Sequence, residues 1–139
     1  MKQVLLAFAL VLVATAGFSQ VSAAAAPAPK ADMAVAAFDT QVFDFGKIKQ
    51  GTPATHEFTF TNNGNVPLII TNVQASCGCT TPDWSRDPIA PGGRGFIKAT
   101  YSAAGVGTFN KSVTVMANVD GGNVLLQIKG EVQAAETPQ

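Results

Sequence analysis

Tight-turn signals recur along this chain at intervals too short for long helices. Asn62-Asn63-Gly64-Asn65, Pro91-Gly92-Gly93, Gly105-Val106-Gly107 and Asp120-Gly121-Gly122 each mark a reversal. Between them the pattern alternates with a period of two, the signature of half-buried strands. Phe58 and Phe60 alternate with Glu57, Thr59 and Thr61; Val113, Val115 and Ala117 with Ser112, Thr114 and Met116; Val124, Leu126 and Ile128 with Leu125, Gln127 and Lys129. Phe96 to Tyr101 reads as another strand, and an earlier one is expected over roughly Ala37 to Phe45. Leu68 to Val73 is more continuously apolar, as expected near a sandwich centre, with Pro67 at its start, where a missing N–H is tolerated. About seven short antiparallel strands predict an all-β, immunoglobulin-like β-sandwich, with a small barrel as the alternative.

The first residues predict a destination. Met1-Lys2 is a short positive start, and Val4 to Phe18 then runs apolar apart from Thr15. That run falls short of the roughly 20 residues a spanning helix needs and fits the apolar region of a secretory signal peptide. Val21-Ser22-Ala23 predicts cleavage after Ala23, with a cut near Ser19 as the second choice. The window holds no cysteine to carry a lipid. The expected organisation is a signal peptide over 1–23, an Ala/Pro-rich tether over 24–36, the sandwich over 37–132 and a frayed tail over 133–139. The expected location is periplasmic or secreted, with no stable membrane span after cleavage and an envelope protein as the expected kind of partner.

Charge removes other classes of partner. Nine Lys and Arg face nine Asp and Glu, scattered singly. A nucleic-acid-binding face needs a basic stripe, and a membrane-surface patch needs a basic cluster; the sequence has neither.

The chain has two cysteines, Cys77 and Cys79, separated by Gly78. They are too close in sequence to join two sheets, so burial rather than an inter-sheet disulfide must hold the sandwich. After export cysteines tend to pair. In an extended strand the two α-carbons would lie roughly 7 Å apart, just beyond the usual reach of a disulfide. Gly78 is expected to bend the chain by adopting angles other residues avoid, giving a local bridge under strain. Closing so small a loop constrains little, which points to redox exchange. Two soft thiolates on one turn also suit Cu(I), the alternative to no cofactor at all; a closed zinc site would need four ligands. A structural or incidental pair is the leading reading, ahead of redox exchange and of metal binding.

Other residues point less sharply. His56, the single histidine, reads as a surface or strand-edge residue. Trp84 reads as a cap on the core, with an exposed binding aromatic as the alternative. Asp83 and Asp87 read as solvated turn residues rather than an acid–base pair. Asn110-Lys111-Ser112 fits the glycosylation pattern, a short and commonplace one. No P-loop, nucleophile elbow or Ser/His/Asp arrangement is present in the sequence. The leading expectation is therefore a non-catalytic binding or structural module, in which a sandwich edge can accept a partner strand. The alternative is a thiol-dependent role of Cys77 and Cys79.

Val42 to Ile48, Gly51, Phe58 to Gly64, Pro67 to Ile70, Ser76 to Thr81, Ile89 to Gly92 and Gly130 to Val132, in this order and spacing, resemble one pattern. It is that of the bacterial DUF1573 family of exported immunoglobulin-like domains of unknown function with a Ser-Cys-Gly-Cys-Thr signature. The wider group includes major sperm protein and pilus-chaperone-like sandwiches. The resemblance implies a seven-stranded fold at the cell envelope. It places Cys77 and Cys79 on the signature and supplies no activity.

Overall fold

The structure is a computed structural model and describes residues 32–136. The expected signal peptide and the start of the tether lie outside those residues. Eight strands form: β1 (Ala36–Phe38), β2 (Val42–Lys49), β3 (Ala54–Asn62), β4 (Ile70–Ala75), β5 (Thr80–Trp84), β6 (Arg94–Tyr101), β7 (Gly107–Ala117) and β8 (Asn123–Gln133). No helix occurs among the described residues. The first sheet runs β1-β3-β6-β5 and the second β2-β8-β7-β4. This is the A-B-E-D and C-F-G order of the immunoglobulin sandwich with β2 added beside the last strand. All pairs are antiparallel except β2–β8, which is parallel.

The alternating residues do what their period requires. Phe58, Phe60 and Ile97 of the first sheet are buried against Val113, Leu126, Ile128 and Val132 of the second in one core. Tyr101 and Phe109 stack at one end, 4.0 Å between ring centres, and Phe38 covers Phe60 at 5.0 Å.

Three local expectations are corrected. The segment from Ala37 to Phe45 is two strands in different sheets, because Asp39 to Gln41 carries the chain across the sandwich. The apolar run Leu68 to Val73 is not central. Leu68 makes an isolated bridge to Ile89, and β4 lies on the edge of the second sheet. The end of the expected tether is part of the fold: Ala34 is fully buried and bridged to Val119, and Ala36 opens β1.

Asn62 explains that last packing. Its amide nitrogen donates to Val66 O at 2.8 Å and Ile89 O at 2.9 Å. Its Oδ1 accepts from Val35 N–H at 3.3 Å and Gly64 N–H at 3.0 Å. One buried side chain thus joins the incoming segment, the Asn-rich turn and the loop before β6. That loop turns at Pro91-Gly92, where Gly93 N–H reaches Ala90 O at 2.8 Å and Gly92 takes φ +78°, the geometry for which a Pro-Gly pair is suited.

Candidate functional site

The chain leaves β4 at one sheet edge and enters β5 at the edge of the other, so Ser76 to Cys79 form the crossover between sheets. Cys77 and Cys79 are joined by a disulfide with α-carbons 5.3 Å apart, inside the usual range. A turn supplies this closeness: Thr80 N–H donates to Cys77 O at 3.3 Å. Both ends are anchored by other bonds. Ser76 N–H donates to Ser112 O at 2.9 Å, Ser112 N–H to Ser76 Oγ at 3.1 Å, and Ser102 N–H to Cys79 O at 2.9 Å. Cys79 packs against the core, whereas Cys77 lies beside Thr80, its Sγ 3.8 Å from the Thr80 hydroxyl. Both cysteines are half-buried and Gly78 is exposed.

The role expected of Gly78 is corrected. Its φ lies outside the left-handed region, and a Cβ there would meet nothing within 4 Å. The hydrogen-bonded turn closes with angles any residue adopts. With both sulfurs in the bridge, Cu(I) capture requires prior reduction. Among the described residues, no group of three or more His, Cys, Asp or Glu side chains gathers as a metal site.

His56 is not a surface residue. It shares the inward face of β3 with Phe58 and Phe60, and β2 lays Phe43 flat on its ring, 3.6 Å between centres and 7° between planes. Phe58 meets it edge-on at 4.6 Å. Its Nε2 is buried without a hydrogen-bond partner. Burial pulls its pKa below the usual histidine value, and the charge of Glu57 opposes this.

Trp84 combines both roles considered for it. One side packs against the core; the other lines an open groove of about 600 Å³ with Arg86, Ile89, Arg94 and Phe96. The Arg86 guanidinium lies 3.6 Å from the Trp84 ring centre. Asp83 Oδ1 accepts from Trp84 N–H at 2.9 Å and from Arg86 at 3.5 Å, while Asp87 is exposed. Asp83 is thus a strand residue opposite Lys98, not the turn residue expected, while Asp87 sits in the bend after the strand. Sequence reasoning found Trp84 but not its neighbours. The antiparallel β5–β6 pairing brings Arg94 and Phe96 beside it across nine residues of loop. Asn110 lies inside β7, opposite Lys129, not in a loop.

Each sheet edge carries features that discourage an added strand. β1 has three residues. β2 is broken by a bulge between Asp44 and Lys47 and carries Lys47 and Lys49. In β4, Ser76 N–H faces β7, so by ladder alternation Val73 N–H points outward; Asn72 Oδ1 covers it at 2.9 Å. In β5, Pro82 has no N–H to offer, and the outward Trp84 N–H is the one Asp83 covers. Bulges, prolines, charges and shortness are the usual means of discouraging edge pairing.

The sequence pattern of the DUF1573 proteins of unknown function matches residues 36–132, the span of this sandwich. The chain belongs to the DUF1573 family. A protein of unknown function from Porphyromonas gingivalis superposes with a TM-score of 0.65 at 20% identity, over 76% of this chain and 50% of its own length. This DUF1573 chain therefore spans half of that protein. The PapD-like domain 7 of human CEP192 superposes with a TM-score of 0.64 at 12% identity, over 84% of this chain and 97% of the domain. A family 123 glycoside hydrolase from Clostridium perfringens does so at 0.61 and 9% identity, over 76% of this chain and 28% of the enzyme. Identities this low show the shared β-sandwich fold alone. Comparison with curated proteins finds no match.

Proposed function

We propose that the chain is an exported cell-envelope protein whose sandwich is a non-catalytic protein-binding module, with the Trp84 groove as its contact surface. The observation that carries this reading is the lining of the groove. Trp84 and Phe96 present aromatic surface between two exposed arginines, Arg86 and Arg94. Trp and Arg dominate the energetics of protein interfaces. The short, bulged and proline-bearing edges favour such side-chain contact over strand addition. His56 is enclosed by Phe43 and Phe58, and Asp83 is engaged by Trp84 and Arg86, so neither is placed for acid–base work. Export is supported by the signal-like start and by a disulfide, which persists in oxidising compartments.

A photo-crosslinking residue placed at Arg86 in intact cells tests the groove, with Glu131 of the opposite sheet as control. Arg86 is expected to yield a discrete adduct with a second protein, and Glu131 none. Trp84→Ala, with an unchanged circular dichroism spectrum, is expected to weaken the adduct by about 30-fold in affinity, the effect of one strong interface residue. Equal adducts from both positions, or none from the groove, would exclude it as the contact surface. A chain recovered from the cytosol with Met1 retained would exclude export.

A further inference from the structure

We propose that the Cys77–Cys79 bridge is a thiol–disulfide exchange site acting on cysteine thiols of other proteins, with Cys77 as the sulfur that forms the mixed disulfide. This inference stands apart from the groove.

Elsewhere in the chain the asparagine and glycines of the pattern have an architectural explanation. Asn62 ties three segments together. At Gly64 a Cβ would come within 2.4 Å of Met33 O, at Gly95 within 2.5 Å of the Phe60 ring, and at Gly130 within 2.9 Å of Gly46 O. The cysteine pair has no such explanation. It links residues two apart in one turn, and that turn is already held by the bonds from Ser76, Thr80 and Ser102. The bridge joins no two strands. Nor does it cross the core, where Phe58, Phe60, Val113 and Leu126 supply the packing. The α-carbons are brought together by backbone hydrogen bonds that involve neither sulfur, so the turn can persist when the bridge opens. The crossover is also half-exposed, as access by an attacking thiolate requires.

The two sulfurs are inequivalent. Cys79 packs against the core and its carbonyl is held by Ser102, which keeps it in place as the resolving residue. Cys77 is outside that core cluster, with the Thr80 hydroxyl 3.8 Å from its Sγ and able to donate to a thiolate there. A cysteine thiolate of the partner attacks Cys77 Sγ. The Cys77–Cys79 bond breaks, a bond from partner sulfur to Cys77 forms, and the electron pair leaves on Cys79 as thiolate. A second partner thiolate then attacks the partner's own sulfur and releases Cys77 as thiolate. The partner dithiol is oxidised to a disulfide and this domain's disulfide is reduced by the same two electrons. The two protons given up by the partner thiols balance those taken by Cys77 and Cys79. The reverse sequence reduces a partner disulfide and re-forms the Cys77–Cys79 bridge.

Glutathione buffers serve as the probe. The purified chain is equilibrated across ratios of reduced to oxidised glutathione without denaturant, quenched in acid, alkylated and weighed by mass spectrometry. The pair is expected to titrate between zero and two alkylated sulfurs with the circular dichroism spectrum unchanged. With oxidised glutathione, Cys79→Ser is expected to hold at least about tenfold more adduct, on Cys77, than Cys77→Ser holds on Cys79. A bridge that stays closed in reduced glutathione until denaturant is added would overturn the proposal. Equal adducts on the two single variants would overturn the assignment of Cys77. Wild type reports the first outcome even if a variant fails to fold, and neither outcome bears on crosslinking from the groove.

Discussion

The imidazole of His56 lies flat on Phe43 with one nitrogen shut away from water. Protonating it places a charge between aromatic rings, which is why burial lowers its pKa. Glu57, itself 3.8 Å from Lys98, works against the shift from the solvent face. A histidine with a lowered folded pKa binds fewer protons in the native than in the unfolded chain. Its contribution is therefore complete above the unfolded value of 6.5 and is lost as pH falls through that value toward the folded one. The urea midpoint is expected to drop between about pH 7 and about pH 5.5, and His56→Phe to flatten the curve over that window. Identical slopes for both proteins would show that His56 does not titrate against folding. The inward position was legible: His56 precedes Phe58 by two in strict alternation. Its neighbours were not, because Phe43 arrives from the opposite sheet through a crossing that no local pattern announces. Gly78 shows the converse. Its flexibility invited a conformational role that a simple hydrogen-bonded turn makes unnecessary.

At the scale of elements, strand existence followed from period two, but strand position did not. In the run Leu68 to Val73, Leu68 is buried beside Ile89 and Ile70 and Val73 face the core from an edge strand, while Ile69 between them is exposed. Continuity of apolar residues here reports neither full burial nor a central strand. Asn62 carries the same lesson for polar residues. Read along the chain it is turn chemistry; in the fold it satisfies Val35 N–H, Gly64 N–H, Val66 O and Ile89 O at once. Asn62→Ala leaves these groups unpaired beside the core. With about 1–3 kcal/mol for each buried group left unsatisfied, a loss of about 3 kcal/mol or more is expected in urea titration. Hydrogen exchange is expected to rise first at Val35 and Gly64. A loss below about 1 kcal/mol would mean that water replaces the amide without cost.

For the molecule as a whole, the question is what holds two sheets together when the disulfide does not. The bridge closes a loop of three residues, for which the chain-entropy estimate is about 1.6 kcal/mol, and its turn is hydrogen-bonded on both sides. The core has no such redundancy. Phe60 is 1% exposed, covered by Phe38 and packed tightly against Gly95. Removing its ring opens a cavity lined by both sheets, at a cost of about 3–5 kcal/mol. The double change Cys77→Ser with Cys79→Ser is therefore expected to lower stability by no more than about 1.6 kcal/mol, with an unchanged denaturant slope, while Phe60→Ala costs at least twice as much in the same titration. The equal slope matters because removing a cross-link that restrains the unfolded chain over a long loop would raise it, and this loop is too short to do so. A cysteine-free chain that loses as much as Phe60→Ala would make the bridge a structural clamp on the crossover. Such a clamp would oppose a freely exchanging pair, so this one measurement weighs the fold's stability and the chemistry of its crossover together.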